Sequence, residues 1–494
     1  MSEGKIRGRI ASGLIWTYAE RISAQLVSLV VSIVLARRIA PEHFGVISLV
    51  TVFINIANVF VSEGFSNALI QKKDADETDF STVFYLSLLA SAALYAVLFF
   101  TSPMIAAFYN EDQLNPILRV LSLKLIVSAL NSVQNAYVSR KMIFKKFFFA
   151  TLVGTVISAV VGIWMAYRGC GVWALVAQYL VNSTIDTLVL HFTCGWKPHL
   201  LFSLARAKLL FPYGSRILAA SLIQKLYDNL RSLLIGKVFT TSDLAFYNRG
   251  KHIPSLIVDN INTSIVKTLF PALSDAQDDK TRVKAMMRRG MSISAFIMSP
   301  LLLGLAACGK SIIGLLLTDQ WLPCVPYMQI ICLTYLLQPI QKANLQAIKA
   351  IGRSDVILRL EFYKKAIGVT LIAVATFVLR SVTAVVWSGF VITLINTVIN
   401  SYPNKKLLNY PIHEQIMDTL PSFLCGTVMS IAVYAVGMLD INRIPLLVLQ
   451  VSIGAGSYLF LSHLTHSENL TYCINIACSF TKRLYKRKNA RKED

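Results

Sequence analysis

About fourteen apolar runs, most of roughly twenty residues, follow one another along this chain, and they leave few folds open. A run of that length crosses the hydrocarbon core of a bilayer as one helix. No water reaches the backbone there, so only helices and closed barrels can span, and runs this long are not barrel strands. Their approximate limits are 10–36, 44–66, 80–101, 115–138, 147–167, 171–192, 209–237, 244–268, 290–317, 325–348, 360–380, 383–401, 419–438 and 444–463. Composition agrees: the 494 residues are 55% hydrophobic, and mean hydropathy is +0.58. The expected fold class is an all-α polytopic membrane protein with about fourteen transmembrane helices.

The net charge of +22 does not require nucleic acid in such a chain, because Lys and Arg collect in cytoplasmic loops. Lys5, Arg7 and Arg9 precede the first run, and Arg140, Lys141, Lys145 and Lys146 follow the fourth. Further basic turns hold Lys197, Arg206 and Lys208, then Lys280, Arg282, Lys284, Arg288 and Arg289. Lys349 with Arg353, and Lys405 with Lys406, mark the next two. The alternate loops 102–114 and 318–324 have no Lys or Arg; Arg37 and Arg38 are the exception. An even number of spans with both termini cytoplasmic fits this pattern. The first run is too long for a cleavable signal and is expected to remain as a span.

The eight cysteines form no CxxC and accompany no His cluster, so they read as small hydrophobes rather than metal ligands. From 467 to 494 the chain is not a span. Leu470, Ile474, Ala477, Phe480 and Leu484 recur at three or four, with Lys482, Arg483, Lys486, Arg487 and Lys488 nearby. That spacing predicts a basic interfacial helix on an anionic leaflet; a merely solvated positive tail is the alternative.

Several runs carry polar side chains on one helical face. The seventh aligns Ser221, Lys225, Asp228 and Arg231 and also contains Arg216; the eighth aligns Asn248, His252, Ser255, Asp259 and Asn262 and also contains Arg249 and Lys251. Ionisable groups at bilayer depth almost always face protein or a water-filled cavity. In the first run Thr17, Glu20, Arg21, Ala24, Ser28 and Ser32 share a side, as do Thr51, Asn55, Asn58, Ser62 and Ser66 in the second. Packing alone accounts for many such Ser and Thr residues. The substrate-binding candidates are therefore Arg21, Arg216, Lys225, Arg231, Arg249, Lys251, Asn55 and Asn58. Glu20, Asp228 and Asp259 are the candidates for coupling to H⁺ or Na⁺. Cations outnumber carboxylates in this set, which suits an acidic or phosphorylated, hydroxyl-rich ligand.

The two halves resemble each other. Leu35 to Ile47 aligns without a gap on Ile235 to Tyr247, and Asp112 to Pro116 aligns on Asp319 to Pro323. Each half would be a six-span lobe, the two being parallel copies related by a pseudo-twofold axis along the membrane normal. The expected organisation is an N-terminal lobe at 1–208, a C-terminal lobe at 209–418, two further helices at 419–466 and the basic tail at 467–494. No Walker A motif, zinc-ligand spacing, nucleophile elbow or dinucleotide glycine pattern is present, so neither an enzyme nor a cofactor is expected.

Ser12 to Trp16, Leu35 to Arg38 with Phe44 and Gly45, and Gly64 to Asp74 carry a family resemblance. Ser102 to Tyr109, Pro300 to Gly304, Asp319 to Trp321 and Gly352 to Asp355 continue it. In that order they resemble the Wzx-type oligosaccharide flippases of the polysaccharide transporter group, in particular the colanic acid and teichuronic acid exporters. These lie within the multidrug/oligosaccharidyl-lipid/polysaccharide exporter superfamily. The resemblance covers roughly residues 10 to 460; Cys170, Cys308 and Asn344 match nothing in the family pattern. It implies twelve or fourteen helices, with the first, second, seventh and eighth lining a cavity. It also implies transport of a polyprenyl-diphosphate-linked glycan repeat unit for exopolysaccharide, O-antigen or capsule assembly. Partners would be that lipid-linked glycan, membrane lipid, and a polysaccharide polymerase and glycosyltransferases. Two other readings stay open: a cation-coupled multidrug exporter of the same superfamily, and a peptidoglycan-precursor lipid flippase.

Overall fold

The computed structural model describes residues 3–478 except 64, 73, 476 and 477, and leaves out the side chains of 3–15, 17–19, 21, 65 and 67. Every regular element described is helical. The first half runs α1 (Glu3–Arg38), α2 (Pro41–Ser62), α3 (Phe65–Gln71), α4 (Glu77–Tyr109), α5 (Leu114–Leu121), α6 (Leu123–Lys141), α7 (Lys145–Tyr167), α8 (Val172–Cys194) and α9 (Leu204–Val238). The second runs α10 (Thr241–Asp275), α11 (Lys280–Ala307), α12 (Gly309–Leu316), α13 (Val325–Leu336), α14 (Gln338–Ala350), α15 (Ser354–Ala373), α16 (Val382–Leu408), α17 (Ile412–Val436) and α18 (Arg443–Leu464). By length and composition, eight helical stretches among the described residues can cross a membrane. They are α2, α4, the α5–α6 stretch, α7, α11, α16, α17 and α18. The chain is a multi-pass membrane protein. Neither α9 nor α10 belongs to that set, because each is interrupted by charge along its 35 residues.

Local chemistry sets the helix ends. Asp76 caps α4: its Oδ1 accepts from the Asp79 backbone N–H at 2.9 Å, while Asp79 Oδ2 accepts from the Asp76 N–H at 3.2 Å. Asn110 ends α4 in the left-handed conformation at φ 55°. Pro41 opens α2, where its missing N–H is not needed. Helix ends also recur along the sequence. α1 ends at Arg38 and α2 begins at Pro41; α9 ends at Val238 and α10 begins at Thr241. The aligned turns at Asp112 and Asp319 likewise each follow a helix end and precede α5 or α13.

The chain divides into two compact units, Met1–Ala245 and Phe246–Asp494. In the first, α1 packs on α7, α7 on α8, α8 on α6, and α6 on α4. A core of Leu69, Phe80, Phe84, Val133, Trp196 and Leu210 fastens one end of this unit. The segment joining α8 to α9 is pinned there on the start of α4. Trp196 Nε1 donates to Glu77 Oε2 at 2.7 Å, the His199 N–H to Ser81 Oγ at 3.2 Å and the Ser203 N–H to Thr82 Oγ1 at 3.1 Å. Asp79, with no exposed surface, pairs with Lys72 at 2.5 Å and lies 3.7 Å from Arg206, which also holds Asp76 at 3.1 Å. The Asp79 backbone N–H, then Arg206 and Lys72, hold the Asp76 carboxyl below the usual carboxylate range.

In the second unit α11 packs on α17, α17 on α18, and α13 and α14 on α16. The misfit Asn344 has a structural reason. Fully buried on α14, it donates to Gln415 Oε1 at 2.7 Å and accepts from Asn404 Nδ2 at 2.6 Å, tying α14 to α16 and α17. In both units the helices are less regular than the apolar runs. The 290–317 run breaks at Cys308, and the 325–348 run divides into α13 and α14, with Pro339 near the start of the latter. The second run's polar face also ends early: α2 stops at Ser62, so Ser66 lies on α3 and leaves the stripe formed by Thr51, Asn55, Asn58 and Ser62.

Candidate functional site

The candidate site is built on α2 and α9, which pack together in the first unit. α9 is held at both ends. Ala207 and Leu210 are buried near its start, and Ser232, Ile235 and Gly236 near its end. A Cβ on Gly236 would collide with the Leu49 side chain of α2, so this approach needs glycine. Between those anchors, from 215 to 231, no side chain is fully buried. That middle stretch carries the charges. Arg216, Lys225 and Asp228 are exposed, and Asp228 accepts from Gln224 Nε2 at 2.8 Å, one turn back.

Arg231 differs from these. It is half-buried, and its Nε is shielded with no hydrogen-bond partner among the described residues. It makes no ion pair there either. On α2, Asn55 is exposed, whereas Asn58 is half-buried and its Oδ1 is shielded and unsatisfied. Adjacent helices thus present an unused donor and an unused acceptor. Buried polar atoms are nearly always paired, so two on neighbouring helices need a reason.

The first unit also holds a carboxylate pair. Glu20 on α1 accepts from Thr151 Oγ1 at 3.1 Å, and Asp186 on α8 lies within its electrostatic reach. Asn131 Nδ2 donates to Asp186 Oδ2 at 3.2 Å. Neither carboxylate has a Lys or Arg at ion-pair distance among the described side chains. The Arg21 side chain lies outside the described residues. Asp186 was missed by the stripe reading, although an acid four residues after Asn182 in an apolar run was a visible signal.

On α10, Arg249 and Lys251 are half-buried and Asp259 is exposed. The Arg249 guanidinium stacks 4.9 Å from the ring centroid of the fully buried Trp321, which fixes it by packing and cation–π attraction. His252 is exposed, and its backbone carbonyl accepts from Ser255 Oγ at 2.7 Å. Lys342 and Lys364, inside the 325–348 and 360–380 runs, are further charges that periodicity passed over.

A sequence profile described as "Polysaccharide biosynthesis protein" matches residues 34–326, more than half of the chain. The chain belongs to this family. As a polysaccharide biosynthesis protein it is 23% identical over 471 residues to the teichuronic acid biosynthesis protein TuaB of Bacillus subtilis (strain 168), covering 92% of this chain and 95% of TuaB. It is also 23% identical over 442 residues to the lipopolysaccharide biosynthesis protein WzxC of Escherichia coli (strain K12), covering 88% of each. Its fold is shared with the lipid II flippase MurJ in an inward closed conformation. The TM-score is 0.75 at 14% identity, over 92% of this chain and 99% of that one. The family resemblance seen in the short motifs thus holds along the chain.

Proposed function

We propose that this family member flips a polyprenyl-diphosphate-linked oligosaccharide repeat unit from the inner to the outer leaflet of a bacterial cytoplasmic membrane. The product feeds exopolysaccharide, O-antigen or capsule assembly, beside a polymerase and glycosyltransferases. The polar face of α9 receives the acidic, hydroxyl-rich head group, and the isoprenoid chain stays in lipid. The observation that carries this reading is Arg231, half-buried with a shielded, unsatisfied Nε and no ion pair among the described residues, on the helix that packs against the Asn58 helix. An Arg fork suits phosphate or carboxylate oxygens, and a lipophilic cation would be repelled by it.

Transport runs by alternating access, with no ATP hydrolysis. About fourteen spans, two six-span copies followed by α17 and α18, are supported by the recurring helix ends. The basic turns support a cytoplasmic side for both termini. Coupling to H⁺ or Na⁺ runs through Glu20 with Asp186, since two facing carboxylates at bilayer depth favour sharing a proton or a cation. Asp228 and Asp259, the other two coupling candidates, are exposed.

The test is outward accessibility of the lipid-linked repeat unit in cells depleted of this protein and lacking a second exporter. The unit should accumulate with its sugars reachable only from the cytoplasm, and restoring the protein should return outward labelling. Undiminished outward labelling after depletion would rule the reading out.

A further inference from the structure

Two lysines in the second unit occupy helices that otherwise read as apolar. Lys342, on α14, is half-buried and makes no hydrogen bond or ion pair among the described residues. Four charged groups reach it electrostatically: Lys349 on the same helix, Asp259 on α10, and Lys364 and Glu361 on α15. Lys364 is 7% exposed, and its ammonium rests 2.5 Å from Glu361 Oε1, one turn earlier. Three helices therefore bring three ammoniums and two carboxylates into one field, with positive charge in excess. A buried lysine is costly unless a counter-charge and hydrogen bonds satisfy it. Glu361 does this for Lys364, but no group among the described residues does it for Lys342.

Lysine suits this place better than arginine would. Its ammonium is a compact charge on a flexible stem and can turn from one acceptor to another. We propose that Lys342 and Lys364 form an anion-binding pair that takes the diphosphate of the isoprenyl carrier. Glu361 and Asp259 hold the lysines in position, and diphosphate oxygens displace them on binding. This rests on the flippase reading and adds to it the residues that meet the phosphates, none of which lies on the striped faces of α9 or α10.

Binding of farnesyl diphosphate to the full chain in lipid nanodiscs tests the assignment. Lys342→Gln and Lys364→Gln should each weaken binding about tenfold or more, the effect of losing one hydrogen bond to a charged group. Lys364→Arg should recover most of the loss. Glu361→Gln separates ligand binding from a structural ion pair: removing the competing carboxylate should preserve or tighten binding. Inorganic pyrophosphate should compete, and glucuronate at equal concentration should not.

Wild-type affinity in both Gln variants, if they remain monodisperse, would overturn the proposal. So would a loss in Glu361→Gln equal to that in Lys364→Gln, which marks a structural pair. Competition by glucuronate as good as that by pyrophosphate would reassign the site to sugar carboxylates and also overturn it. Failure of the wild type to bind farnesyl diphosphate while still exporting glycan in cells would remove this site alone. Failure of the wild type to export would remove the flippase reading beneath it.

Discussion

Arg231→Gln should leave the protein folded and stop glycan export. The two halves of this expectation have one cause. The Arg231 Nε is shielded from solvent and bonded to nothing among the described residues, so the fold gains no hydrogen bond from it. Replacing an unpaired, partly buried charge by a neutral amide of similar length removes a desolvation cost rather than a contact. Thermal stability in detergent should therefore stay level or rise. Transport should behave oppositely, because the head group loses a charge-assisted contact for which nothing else on the middle of α9 is equally shielded. Such a contact is worth about 1.5–3 kcal/mol, and export should fall at least about tenfold. Outward labelling of the lipid-linked glycan and a melting curve, measured on the same variant, check both halves. A variant that melts early, or exports normally, contradicts the argument.

Asp79→Ala should give the reverse pattern, a fold that fails before any transport step is reached. Asp79 is fully buried, pairs with Lys72 at 2.5 Å and accepts the Asp76 N–H at 3.2 Å. Its removal strands Lys72, loosens Arg206 and opens the α4 cap that holds the segment leading into α9. Breaking a buried pair by removing one partner costs about 3–5 kcal/mol, a large share of the stability of any domain. The yield of monodisperse protein is the measurement, and Lys72→Ala should lower it too, because it leaves the fully buried Asp79 carboxylate without its 2.5 Å counter-charge. Acid acts on the same cluster through Asp76. Its carboxyl is held below the ordinary range, so its contribution is complete at neutral pH and is lost as pH falls through that depressed value.

Apolar length and period placed most of the helices. α2, α4, α7, α11, α16, α17 and α18 each contain a long apolar run, and such runs are decided by local composition. The aligned turns at Arg38 and Val238 fell where helices end, because a helix end is also a local event. What local pattern could not supply was partnership. Asp186, with only Asn182 one turn before it as a signal, and Lys342 sit in apolar runs, and only the neighbouring helices reveal the charged groups within their electrostatic reach. Asn344 looked like a family misfit for the same reason: its side-chain partners Ser401, Gln415 and Asn404 lie 57 or more residues away. Ser66 was misplaced because a short break at the end of α2 leaves hydropathy almost unchanged. Most of the basic tail lies outside the described residues, and its interfacial role stays a proposal.

Reconstituted translocation tests the central claim most directly. The full chain in liposomes, supplied with a fluorescent isoprenyl-diphosphate-linked glycan and an imposed H⁺ or Na⁺ gradient, is followed by quenching of head groups on one face. Wild-type protein should move the head group across and Arg231→Gln should not. Equal movement in protein-free and protein-containing vesicles, or equal movement by both forms, would contradict the account.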